Sequence, residues 1–154
     1  MCKLCWTFLG LLLLVLVAVA YKVVVKGSTE TAPDGRQALL LEPAERDLVL
    51  GEMRAFLAAV QGVLAAANAE KMEAAADAAS AVGMAAQNDV PAGLIAKLPL
   101  EFKRLGFDTH RRFDQLALDA RQLGDPDHTR QQLAELMANC VACHAAYRIE
   151  AVAP

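Results

Sequence analysis

The chain opens on an unbroken apolar run. From residue 4 to residue 20 every position is apolar or small except Thr7, with Trp6 near the entry and Tyr21 at the exit. Continued through Lys22 to Val25, the run reaches the roughly 17–25 residues of a spanning helix, and the Lys22 stem can snorkel to the interface. Residues 1–26 therefore read as a transmembrane anchor. The alternative is a cleaved signal: Ala18-Val19-Ala20 fits the small-x-small cleavage rule, although the run exceeds the roughly 7–15 residues of a signal core. Lys3 and the α-amino group precede the run and Lys22 and Lys26 follow it, so the positive-inside rule gives no orientation.

Residues 27–36, rich in Gly, Ser, Thr and Pro, have the composition of a flexible linker. After them the apolar spacing is that of helices, with no convincing two-residue alternation. A first helix starts at Pro43, a residue suited to a first turn. Leu50, Met53, Leu57, Val60, Leu64 and Ala67 recur along it at threes and fours, and Val49, Phe56 and Val63 widen the stripe. A second spans about 70–87, with Met72, Ala76, Ala79, Val82 and Met84 inward and small enough to let neighbours approach closely. The pattern breaks at 88–93. A third runs from Leu100 or Asp108 to Leu123, its start blurred by Gly106, and carries Phe102, Leu105, Thr109, Phe113, Leu116 and Ala120. Gly124 suits the position after its end. Asp125-Pro126-Asp127 then supplies a cap, a first-turn proline and an acid for a fourth helix. That helix presents Leu133, Leu136, Met137, Cys140, His144 and Tyr147 on one side.

Composition sharpens this picture. The 154 residues suffice for one domain with a core, here 37–154, and they are 56% hydrophobic but only 5% aromatic. Alanine and leucine lose least on entering a helix. The expected fold is all-α: an antiparallel four-helix bundle preceded by a transmembrane helix. A net charge of −3 argues against nucleic acid, which demands a clustered basic surface.

The cysteines fall into two pairs. Cys2 and Cys5 flank the start of the apolar run and do not follow it, so they form no lipoprotein signal and read as two thiols at its cytoplasmic end. Cys140-Val141-Ala142-Cys143-His144 is the attachment signature of c-type haem. Two thiols about one helical turn apart can each add to a vinyl group on one macrocycle edge, and His144 then offers its imidazole to the iron. Three other readings stand beside it. A thioredoxin-like dithiol normally lies at a strand–helix junction, and no strand pattern precedes Cys140. A zinc site needs further ligands; His110 or His128 could supply one, but neither has a cysteine nearby. A chance pair of cysteines leaves His144 unexplained. His110 and His128 themselves read as surface residues.

A C-terminal CxxCH on the last of four helices resembles the cytochrome c′ family, the class II c-type cytochromes. Residues 140–148, ending Tyr147-Arg148, are similar to the family's CxxCHxxYR. Arg46 to Leu50 is similar to its Arg-x-x-x-Leu/Met, whose last residue faces the distal side of the haem. The resemblance covers about residues 40–150 and implies one covalent haem c, held by Cys140 and Cys143, with His144 as axial ligand. It places Leu50 on the distal wall, where a hydrocarbon leaves iron five-coordinate, high-spin and open to NO or CO. Met53, one turn on, is the rival sulfur ligand if the helix rotates, and otherwise a core filler. Arg148 matches an arginine beside the proximal haem face, or is a solvated arginine at a helix end. Tyr147 reads as packing.

The leading expectation is electron transfer by a membrane-tethered mono-haem cytochrome serving a periplasmic or membrane redox partner. The second is capture of NO or CO for sensing or protection. An enzyme is not expected, because Leu50, Met53 and Leu57 offer no acid–base group over the distal face. C-type haem is attached outside the bacterial inner membrane, so the domain is expected on the periplasmic side, or soluble in the periplasm if the signal is cleaved. The family also admits a homodimer.

Overall fold

The structure, a computed structural model, describes residues 3–152. The reading of Cys2 and Cys5 as cytoplasmic thiols falls outside the described residues and side chains. The protein is mostly helical, with a small three-stranded sheet. Helix α1 (Lys3–Ala20) continues into wider π-type turns over Tyr21–Lys26. Residues Trp6–Lys26 are long and apolar enough to cross a membrane, and none of that stretch is buried against the rest of the chain.

Helix α2 (Pro43–Asn68) begins as its sequence predicts, with Pro43 in the first turn. Glu42 and Glu45 close a reciprocal capping box, the Glu42 N–H donating to Glu45 at 3.0 Å. The buried face of α2 is Val49, Phe56, Ala59, Val63 and Ala67. The parallel row Leu50, Leu57, Leu64 stays outside the core, so the centre of the apolar stripe lies about one residue away from its expected line.

Helix α3 (Met72–Ser80) is shorter than the expected 70–87. The chain leaves the helix at Ala81, and a single 3₁₀ turn occupies Met84–Gln87. Asp114 causes the break: its carboxylate accepts the Met84 N–H at 2.9 Å and lies where a Cβ on Gly83 would collide with it. Ala75, Ala76 and Ala79 are fully buried, which lets α3 pack against both α2 and α5. A short helix α4 (Ala92–Lys97) stands where no element was expected.

Helix α5 (Leu100–Leu123) runs through Gly106 without interruption and ends on left-handed Gly124, as its sequence predicts. Asp125 caps helix α6 (Pro126–Ala146), accepting the N–H groups of Asp127 and His128 at 2.9 and 3.1 Å. Helix α2 packs on α3, α3 on α5, α5 on α6 and α6 on α2. Their shared core includes Phe56, Val63, Phe113, Leu116, Leu133 and Leu136, with the rings of Phe56 and Phe113 stacked at 5.5 Å.

The sheet was not expected from the sequence. Strand β1 (Thr29–Thr31) lies in the segment read as a linker and pairs antiparallel with β2 (Gln37–Leu41). Strand β2 in turn pairs parallel with β3 (Tyr147–Ala151), from Gln37 opposite Tyr147 to Leu41 opposite Ala151. Gly27 adopts φ 62° directly against the backbone of 97–99, where any side chain would collide. The Ser28 N–H also donates to the Lys97 carbonyl at 2.7 Å. Leu39, Leu41, Val49, Leu94 and Leu98 form a second core beneath the sheet, and Met53 packs against both cores.

Candidate cofactor cleft

Helices α2 and α6 both show apolar side chains to the outside and create a cleft between them. On α2 these are Leu50, Met53, Leu57 and Val60; on α6 they are Met137 and the residues that follow it; α5 closes the floor with Phe102, Leu105 and Thr109. The cleft has a volume of about 430 Å³, within the range of small-molecule and cofactor sites. Leu50 is 37% exposed and Leu57 70% exposed, a cost that apolar side chains on a lone chain do not repay.

Cys140, Cys143 and His144 line this cleft together with Leu50 and Met53. The fold thus brings together five of the six residues singled out from the sequence. Both thiols are free and partly buried, while His144 is exposed at the rim. Burial pushes the Cys143 thiol up to about 11, with the neighbouring Cys140 adding to the shift, and burial raises Cys140 as well. Both are neutral thiols at ordinary pH. The attacking thiol of a dithiol redox centre typically shows the reverse shift, and a thiolate zinc site needs more donors than this corner provides. Among the described residues no three His, Cys, Asp or Glu side chains form a metal-ligand cluster.

Arg148, the sixth residue, lies on β3 and not on a helix end, because α6 stops at Ala146. It borders a second cavity of about 250 Å³ that shares Leu50, Met53, Phe102, Cys143 and His144 with the main cleft. Arg36 and Arg46 border the same cavity. Arg36 donates to the carbonyls of His144 and Tyr147 at 3.4 Å, and both Arg36 and Arg148 meet Asp34, at 2.7 and 3.3 Å. The Arg36 side chain and backbone hold the Asp34 carboxyl below its usual range. Tyr147 packs edge-on against Phe102 at 5.3 Å, in keeping with a packing role.

Comparison with family models, with characterised proteins and with solved structures finds no match to this chain. The site therefore stands on its own residues. Several of these carry no motif. Glu52 and Arg54 line the cleft from α2, and Asn139, next to Cys140, donates to Asp108 at 2.9 Å and to Thr109 at 3.3 Å. The Asn139 amide, helped by Arg112, holds the Asp108 carboxyl below its usual range and clasps α6 to α5 one residue before the first thiol. Arg36 gave no signal, since only the β2–β3 pairing brings it beside His144. His110 is a correction: it is buried at 2% exposure, because α5 turns it toward the break after α3. His128 is partly exposed beside Asp119, at 3.6 Å.

Proposed function

We propose that this chain is a membrane-tethered mono-haem c-type cytochrome of the cytochrome c′ kind, working in electron transfer. One observation carries the reading: the CxxCH residues and the apolar α2 residues Leu50 and Met53, far apart in sequence, wall a single cleft. Such a cleft suits a large, flat, apolar group that thiols can anchor and an imidazole can ligate. The mutual packing of α2, α3, α5 and α6 supports the four-helix bundle that this family would require. Haem supplies a one-electron couple between ferric and ferrous iron. Cys140 and Cys143 would hold it covalently, His144 would ligate it, and Leu50, Leu57, Val60 and Met137 would exclude water from its faces. Arg148, with Arg36 and Arg46, would receive its acidic edge. The apolar helix at 6–26 would anchor the domain to the inner membrane from the periplasmic side, or act as its export signal.

The test is to mature the full chain in an export-competent host and weigh it. The expected result is the added mass of one haem, retained on a denaturing gel, lost when both cysteines become serine. Protein without that mass would end the reading. Capture of NO or CO is a second reading, favoured by Leu50 in the cleft wall, which offers iron no donor atom.

A further inference from the structure

Helix α5 buries a histidine that electron transfer, as described so far, does not use. The Nδ1 atom of His110 lies 2.7 Å from the Val82 carbonyl oxygen, which can only accept, so Nδ1 carries a proton in either charge state. A second proton can be gained or lost only at Nε2. That atom has two partners: the Gln87 amide nitrogen at 2.7 Å and a Glu52 carboxylate oxygen at 3.2 Å. Neutral His110 accepts from Gln87; protonated His110 donates to Glu52 once the Gln87 amide, also a donor, turns away from Nε2. Gln87 also donates to Glu52, at 2.5 Å. Both charge states therefore find hydrogen-bond partners in a place where an unpaired charge would be costly.

Glu52 links this pair to the cleft. It borders the cleft onto which Cys140, Cys143 and His144 open, and it also borders a cavity of about 280 Å³ that reaches His110 from the far side of α2. We propose that His110, backed by Glu52, is a proton-binding site coupled to electron gain in the cleft, an inference that rests on the cytochrome reading above. One electron arrives from the redox partner. One proton arrives from solvent past the exposed edge of Glu52 and bonds to His110 Nε2. The O–H bond of the solvent acid breaks as the N–H bond forms, and the Gln87 hydrogen bond to Nε2 gives way to one with Glu52. The net charge of cleft and pair is unchanged, which limits the electrostatic cost of adding charge in a low-dielectric interior. Other charged groups near the imidazole are Asp89 after the 3₁₀ turn, and Lys103 and Asp114 on its own helix. Burial opposes charge on His110, but its hydrogen bonds to Glu52 and to the Val82 carbonyl outweigh burial and hold it above its ordinary range.

The test is the midpoint potential of the haem-loaded full chain between pH 5 and 9, with the added haem mass verified first. In the wild type the redox equilibrium should change tenfold per pH unit between the two proton affinities of His110, about 59 mV for a one-electron couple. His110→Gln should flatten that slope, and Glu52→Gln should move it to lower pH. His128→Gln should leave it in place. Should His110→Gln fail to accumulate, the NMR titration of His110 in ferric and ferrous wild type decides: its midpoint must be higher in the ferrous form. A flat wild-type potential, an unchanged slope in His110→Gln, or equal midpoints in the two redox states overturns the proton site and leaves the cytochrome reading intact. Absence of haem mass overturns both.

Discussion

In the proposed cytochrome, Leu50 governs what the cleft can do to iron. Its hydrocarbon cannot donate, so the ferric protein should be mainly high-spin and the ferrous protein should bind CO. Leu50→Met should turn the spectrum low-spin and suppress CO binding, because sulfur then competes for the open position. A sulfur-to-iron charge-transfer band in the unmodified protein, abolished by Met53→Leu, would instead assign Met53 as ligand. Met53 packs against both cores and also lines the cleft. Leu50→Ala should cost less than the roughly 2–5 kcal/mol of a fully buried leucine, since Leu50 keeps 37% of its surface exposed. His110 makes its own prediction. Its proton affinity is raised above the ordinary value of 6.5 by Glu52 and the Val82 carbonyl, against the opposing effect of burial. Protonation therefore stabilises the fold fully below about pH 6.5, and that contribution is lost as pH rises through the higher folded value. Denaturant unfolding of wild type and His110→Gln should show a stability gap that narrows from pH 6 to pH 9. At this scale the three motif residues were legible in the sequence, because thiol spacing and an adjacent imidazole are chemistry in themselves. Glu52, Asn139 and His110 were not, since their roles depend on where α2, α5 and α6 meet.

Among the elements, α6 is the one whose position the site needs most, and it is held at identifiable points. Asp125 caps its first turn and Asn139 clasps it to α5 just before the thiols. Asp125→Ala should lower stability by about 0.5–2 kcal/mol, read as a lower thermal midpoint, with two orphaned N–H groups at the helix start. The beginnings of α2 and α6 and the end of α5 could be read from Pro43, Pro126 and Gly124, because capping is a local event. The end of α3 could not, because it depends on Asp114 reaching the Met84 N–H from thirty residues along the chain. The strands were invisible for a different reason. Each has five residues or fewer, and the Ala-Leu-Leu-Leu of β2 is buried at three of its last four positions, so it shows no alternation. Arg36 and Arg148 consequently meet beside His144 through a sheet that no periodicity announced.

For the molecule as a whole, the apolar helix at 6–26 and the net acidity of the remainder point in different experimental directions. Retention of that helix predicts protein in the membrane fraction that high salt does not release, since salt weakens only electrostatic attachment. A mature N-terminus at Tyr21 would instead show that the helix is a cleaved signal. Apart from Lys3, Lys22 and Lys26, the chain carries 12 basic against 18 acidic residues. Electron exchange with a basic partner should therefore slow as ionic strength rises, and a rate indifferent to salt would dismiss such steering. The acidic domain is also joined to its helix closely: Gly27 backs onto the 97–99 backbone, and Lys103 donates to the Val24 carbonyl at 3.4 Å. The parallel pairing of β2 with β3 has a further consequence, in time. Arg36 and Tyr147, which meet across it, are 111 residues apart in the chain. A pairing so distant forms late, because the loop between must close before any contact rewards it. Until β3 docks, the end of α6 beyond the Asn139 clasp lacks the Arg36 contacts to the His144 and Tyr147 carbonyls. Strand β3 thus works as a late latch on the end of α6 that carries Cys143 and His144.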